Sequence, residues 1–156
     1  MLELLWGYIP HIRDLAVSYV LAFPIGLDRE RQENSAGLRT FPLVAIASCG
    51  FVQASERLLT SAEGKGALLQ GLITGIGFIG GGAILQQGRE VRGTATAASL
   101  WATGAIGMAV GLGSYDVAVV IAVFTFLTLW MKTPFKRRRP DSPPAGQRID
   151  TNGCMG

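Results

Sequence analysis

Charged residues are scarce in this sequence, which has 156 residues of which only 16% are charged, against about 25% in an ordinary globular domain. Cysteine is equally rare, with two residues, and there is a single histidine. The low charge and the 49% hydrophobic content exclude a disordered protein, and the cysteine count does not suggest a disulfide-stapled one. Lysine and arginine exceed the acids by 14 to 11, but they lie in short clusters, so we expect no nucleic-acid partner.

Enzymatic motifs are also missing from the sequence. It contains no HExxH, no paired-cysteine metal site, no P-loop and no GxSxG. Gly75, Gly77 and Gly80 do match the letters of a dinucleotide-binding fingerprint. No strand is predicted before them and the surrounding segment is uncharged, so the match is a false positive. We expect a protein that is not an enzyme.

Long apolar segments are what the sequence does have. Five of them run over residues 12–27, 43–53 (extendable to 40–55), 66–87, 94–113 and 117–131. A helix rises about 1.5 Å per residue, so about 20 residues cross the hydrocarbon core of a bilayer. The segments predict an all-α integral membrane bundle of five transmembrane helices. The first is the weakest, because Arg13 and Asp14 interrupt its start.

Basic residues set the predicted orientation of this bundle. With five spans, one side of the membrane receives 11 of the 14 lysines and arginines and the other side receives three, namely Arg13, Arg57 and Lys65. Basic loops stay in the cytoplasm. The N-terminus is therefore predicted outside and the C-terminus inside.

Residues 132–156 differ from the rest of the chain. They hold four prolines, a basic run at residues 136–139 and almost no apolar side chains. We predict a transmembrane domain over residues 1–131 and a disordered cytoplasmic tail over residues 132–156. The basic run is a topology anchor or, alternatively, lies on anionic lipid.

Glycines crowd the third segment, among them those at positions 71, 75, 77, 80, 81 and 82. Their spacing favours close helix packing through small-xxx-small faces, and the alternative is a helix broken at residues 80–82. The fourth segment continues this pattern with Gly104, Gly107 and Gly111. We expect Thr94 to cap that helix and the Trp101 indole N–H to find a partner inside the bundle, such as Thr103. The glycine faces predict a homo-oligomer or a complex with another membrane protein.

Charges gather just after the first segment, at Asp28, Arg29, Glu30 and Arg31. Asp28 and Glu30 are candidate ligands for Mg²⁺, which prefers carboxylates and retained waters. On a helix the two side chains point away from each other, so a shared ion requires an extended chain. The alternative is an ion-pair network that fixes the first two helices, and there we expect Asp28 to pair with Arg39.

Three groups of residues are more specific than hydropathy. They are GLDRE (residues 26–30) with AGLRT (36–40); GIGFIGGGAIL (75–85); and VRG (91–93) with TAASLW (96–101) and AIG (105–107). Together they resemble the MgtC/SapB family of bacterial inner-membrane proteins. The resemblance implies a functional role for the motif residues Arg29, Arg39, Thr40, Gly75, Gly77, Gly80, Arg92, Gly93, Thr96, Trp101 and Gly107.

The sequence departs from the family pattern at several places, including one of two adjacent threonines that is missing at residues 94–96. Asp28 stands where the family usually has Glu, and many members carry a folded C-terminal domain where this sequence has only its tail. The resemblance implies multi-pass insertion in the inner membrane and a link to magnesium homeostasis, with no cofactor except possible Mg²⁺. Two functions stay open: a regulator or binding partner of another membrane protein, or a small secondary transporter or channel for Mg²⁺ or another ion. The small-residue faces favour the first.

Overall fold

The structure, a computed structural model, describes residues 2–31, 37–87 and 90–131. In these residues the chain forms five α-helices and one short hairpin. The helices are α1 (Leu2–Glu30), α2 (Thr40–Leu58), α3 (Ala62–Gly82), α4 (Thr94–Gly111) and α5 (Tyr115–Trp130), and the hairpin pairs β1 (Leu85–Gln87) with antiparallel β2 (Glu90–Arg92). The prediction of five helices is confirmed, and the predicted tail lies outside the described residues.

The helix bounds differ most from the predicted segments at α1 and α3. α1 is longer than its apolar segment, because the helix continues through Pro10 and Pro24. α3 begins before its segment and ends before it, since the chain turns at Ala83 and enters β1. α3 is continuous to Gly82, so the alternative of a break at residues 80–82 is not observed. Across the described ranges, no helix combines the length and the apolar character needed to cross a membrane.

Local chemistry sets the start of α3 and of α4. The Ser61 hydroxyl accepts the N–H of Gly64 at 3.1 Å and caps α3. The N-cap of α4 is Gly93 rather than the predicted Thr94, which is the first helical residue. Gly93 has φ 88°, and a Cβ there would overlap the carbonyl oxygen of Ala83. A left-handed conformation and a backbone this close both require glycine.

α4 is the central helix of the bundle, because it contacts each of the other four helices. With α1, α2 and α5 it forms a four-helix core, in which the α2–α4 contact is the most extensive. The core side chains include Ile25, Phe41, Cys49, Leu100, Ile106, Val110 and Ala118. α3 is peripheral: it packs mainly on α4, and its buried residues are Ile76 and Gly80.

Glycines make the central position of α4 possible. A Cβ at Gly107 would overlap the carbonyl oxygen of Ala45 on α2, and one at Gly111 would lie 3.0 Å from the carbonyl oxygen of Cys49. At Gly104 it would overlap the side chain of Ile76 on α3. α2 and α4 therefore approach backbone to backbone, as small residues allow in helix pairs.

Candidate functional site

Arg29 is the buried charge at the end of α1. Its side chain is only 7% exposed, and one guanidinium nitrogen donates to Asp28 Oδ2 at 2.7 Å. Its Nε is buried without a hydrogen-bond partner. A buried charge is tolerated when it is paired, so the ion pair with Asp28 stabilises the buried guanidinium of Arg29 at this end of the bundle.

Glu30 has a different role from Asp28. Its Oε2 accepts the backbone N–H of Leu38 at 2.9 Å, and a Cβ at Gly37 would overlap the same carboxylate. Glu30 thus holds the chain that leads into α2. Because α1 is helical through Glu30, the extended conformation that would bring Asp28 and Glu30 together does not form. The Mg²⁺ site at these two residues stays a prediction.

Arg39 does not pair with Asp28 as expected. Its side chain is exposed, while the Asp28 carboxylate binds the neighbouring Arg29. The difference has a geometric cause: a residue beside Asp28 on the same helix reaches its carboxylate without crossing to α2. Thr40 begins α2, and its N–H donates to the carbonyl of Gly37 at 2.9 Å.

A second polar cluster, centred on Asp14, lies at the opposite end of the bundle. Asp14 Oδ1 accepts the Tyr115 hydroxyl at 2.6 Å and Arg13 Nε at 2.9 Å, and Oδ2 accepts Gln53 Nε2 at 2.9 Å. Arg13 also donates to the Tyr115 hydroxyl at 2.7 Å. His11 Nδ1 lies 3.2 Å from Gln53 Oε1. One carboxylate therefore ties α1 to α2 and α5.

Sequence reasoning missed this cluster. In the sequence, Arg13 and Asp14 interrupt the first apolar segment, and their partner Tyr115 lies about 100 residues away. The sequence signal that could have indicated it is an acid at the start of one apolar segment together with a tyrosine at the start of another. A recess of about 360 Å³ opens beside the cluster, lined by His11, Gly50, Gln53, Ala54 and Leu58.

The glycines of the α3 motif fall into two sets. Gly80 packs on α4, where a Cβ would lie 3.5 Å from the carbonyl oxygen of Ala97, and a Cβ on Gly77 would lie 3.7 Å from Trp101 Nε1. A Cβ at Gly75, in contrast, would meet no atom within 4 Å, and the same holds for Gly71, Gly81 and Gly82. Packing within one chain therefore explains only part of the glycine run.

The α4 motif residues are not brought into one site. Thr96 is buried, whereas Arg92 is exposed on β2. Trp101 is 47% exposed, and the Thr103 hydroxyl proposed as its partner donates instead to the carbonyl of Ser99 at 2.8 Å. Among the described residues, no group of three or more His, Cys, Asp or Glu side chains is placed to hold a metal ion.

An apolar groove of about 420 Å³ lies between α2 and α3. It is lined by Val44, Ala47, Ser48, Phe51, Leu68, Gly71, Leu72, Gly75, Ile76 and Ile79. None of these residues is charged. Below we call it the α2–α3 groove.

These features define a class of protein: a helical bundle packed through glycines, with a charged motif at the end of α1. The sequence profile of the MgtC family matches residues 15–138, and the chain belongs to that family. It is 37% identical to protein MgtC of Salmonella typhimurium over 114 residues, which are 73% of this chain and 48% of that protein.

Two further relatives extend the comparison. Protein MgtC of Brucella abortus is 38% identical over 110 residues, covering 70% of this chain and 46% of that protein. Protein SrpB of Synechococcus elongatus is 35% identical over 136 residues, covering 79% of this chain and 73% of that protein. The chain thus spans about half the length of its MgtC relatives. No solved structure gives a significant match.

Proposed function

We propose that this protein is a multi-pass protein of the bacterial inner membrane that takes part in magnesium homeostasis by regulating or binding another membrane protein. Membership of the MgtC family supports the link to magnesium-related physiology. The predicted orientation, with the N-terminus outside and the C-terminus in the cytoplasm, is supported by the excess of basic residues on one side.

Exposed apolar side chains support the membrane placement. Phe78 on α3 is 84% exposed, and α5 presents an outer face of large apolar side chains, including Val120, Phe124, Leu127 and Trp130. Surfaces of this kind mark contact with lipid or with another protein.

The observation that carries the proposal is the placement of the acids. Asp14 and Asp28 are each bound to an arginine, and each lies near one end of the bundle. Neither the α2–α3 groove nor the recess beside the Asp14 cluster is lined by an acidic residue. An ion pathway through a bundle needs ionisable or polar groups facing a cavity, whereas an uncharged groove suits contact with another helix.

Cation uptake tests this function against the transport alternative. The purified protein is placed in liposomes that contain a Mg²⁺-sensitive dye, as wild type and as Asp28→Asn. We expect both to match protein-free liposomes. Uptake by the wild type that Asp28→Asn abolishes would establish transport and refute the regulator proposal.

Two cellular measurements test the remaining parts. Reporter fusions after Gly64 and after Arg139 should lie on opposite sides of the membrane, and finding both on one side would exclude the proposed topology. A deletion strain should grow more slowly than its parent when Mg²⁺ is limiting, and equal growth of the two strains would break the link to magnesium.

A further inference from the structure

We infer that the α2–α3 groove is the docking site for a second copy of this chain, which inserts its own α3 to form a two-fold dimer. The inference rests on the membrane placement of the proposed function, and it names a partner and a surface that the proposed function leaves open.

The groove is an incomplete interface. Gly71 and Gly75 line it and have open space where a Cβ would stand. Glycine is unfavourable in a helix unless a close neighbour uses the missing side chain, and two glycines four residues apart allow helix backbones to touch. The neighbour that would use these two glycines is absent within one chain.

Ser48 brings a hydrogen-bond donor to the otherwise apolar groove. The residue is 2% exposed and lines the groove, and within the described part of the chain its hydroxyl makes no hydrogen bond. A serine hydroxyl has one proton to donate. In an apolar environment an acceptor on the occupant of the groove stabilises that donor, and a lipid acyl chain offers none.

α3 of a second copy supplies that acceptor. The exposed Thr74 lies between Gly71 and Gly75 and gives its own proton to the carbonyl of Gln70 at 2.8 Å. The Thr74 oxygen keeps lone pairs that can accept. The donor of the groove and the acceptor of α3 are therefore complementary.

The two hydroxyls also lie at matching depth. Ser48 comes eight residues after Thr40, where α2 starts, and Thr74 comes eight residues before Gly82, where α3 ends. At about 1.5 Å per residue, each is about 12 Å from the same end of the bundle. A two-fold axis along the bundle preserves depth, so Ser48 of one copy meets Thr74 of the other. Neither the lining of the groove nor α3 between Gly66 and Gly82 carries a charge, so no charge is buried in this contact.

Disulfide cross-linking between two tagged copies tests the dimer. Both copies carry Cys49→Ala and Cys154→Ser. One adds Ser48→Cys and the other Thr74→Cys, and they are oxidised in native membranes. The control replaces Thr74→Cys with Val123→Cys, which is exposed on α5 at similar depth and away from the groove. We expect the Ser48–Thr74 pair to give at least about tenfold more mixed cross-link than the control, as a contact of about 1.4 kcal/mol predicts.

A second variant pair separates the groove from general effects on folding. Gly75→Leu fills the groove and should abolish the cross-link and convert the wild-type dimer to a monomer by mass measurement in nanodiscs. Gly81→Leu is the control, because Gly81 has equal open space and does not line the groove. A wild-type monomer, an equal control cross-link or equal effects of the two leucines would each refute the dimer. If the reporter fusions also failed, the membrane placement itself would be wrong, and if they held, only the dimer would fall.

Discussion

Replacing Gly107 with alanine is the sharpest test of the α2–α4 packing. The new Cβ would overlap the carbonyl oxygen of Ala45 and lie 2.9 Å from its carbonyl carbon, whereas ordinary contact begins at 3.4 Å. The neighbour is helix backbone, which cannot rotate away as a side chain does. α2 and α4 must therefore separate by at least about 0.5 Å, a gap that forfeits about a quarter of the dispersion attraction between facing atoms.

The size of the effect follows from two opposing contributions. Overpacking of this kind destabilises by about 1–3 kcal/mol, and a rigid backbone neighbour places Gly107→Ala near the upper limit. The higher helix propensity of alanine returns about 1 kcal/mol. We expect a net loss of about 2 kcal/mol in the free energy of unfolding.

Two other glycines provide the matched controls. A Cβ at Gly104 would overlap the end of the Ile76 side chain rather than helix backbone, so Gly104→Ala should cost less than Gly107→Ala. At Gly81 it would meet nothing within 4 Å, so Gly81→Ala creates no clash and should not destabilise. Reversible unfolding in mixed detergent and SDS micelles measures all three variants. If Gly107→Ala were as stable as Gly81→Ala, the close approach of α2 and α4 would be refuted.

Three further substitutions probe the polar contacts, each by thermal stability in detergent. Tyr115→Phe removes the hydroxyl bound to the Asp14 carboxylate and should lower the free energy of unfolding by about 1–3 kcal/mol, while the exposed control Tyr19→Phe should not; equal effects would contradict the cluster. A double-mutant cycle with Asp28→Asn and Arg29→Gln should give a coupling of about 1.5–3 kcal/mol, since each single change already breaks the ion pair between the two residues, and additive losses would mean that the pair does not interact. Ser61→Ala should destabilise by about 1 kcal/mol through loss of the α3 cap, and no change would show that the cap is dispensable.

The number and order of the helices could be predicted from the sequence, because charges and turn residues separate the apolar segments. The packing of α3 against the other helices could not be predicted from the sequence. The glycines of its two small-xxx-small faces look alike in sequence, yet a Cβ on Gly77 would meet Trp101 of α4, whereas one on Gly75 would meet no atom within 4 Å. Only the path of α4 through the bundle decides which face is covered.

The charged residues show a similar limit. Arg29 and Arg39 both lie near the connection from α1 to α2, and composition does not distinguish the buried one from the exposed one. The contact between Asp14 and Tyr115 joins the first helix to the last, so no local pattern announces it. The acidic motif lies at the end of α1, whereas the carboxylate with more hydrogen-bond partners, that of Asp14, lies near the middle of that helix.

The peripheral position of α3 also has a consequence for the dynamics of the bundle. Because its buried residues are Ile76 and Gly80, α3 can leave α4 without opening the contacts among α1, α2 and α5. Elements with few buried contacts open at lower free energy than the core. In the monomer, backbone amides of α3 should therefore exchange their hydrogens faster than those of α4, whereas a second α3 seated in the α2–α3 groove would protect them.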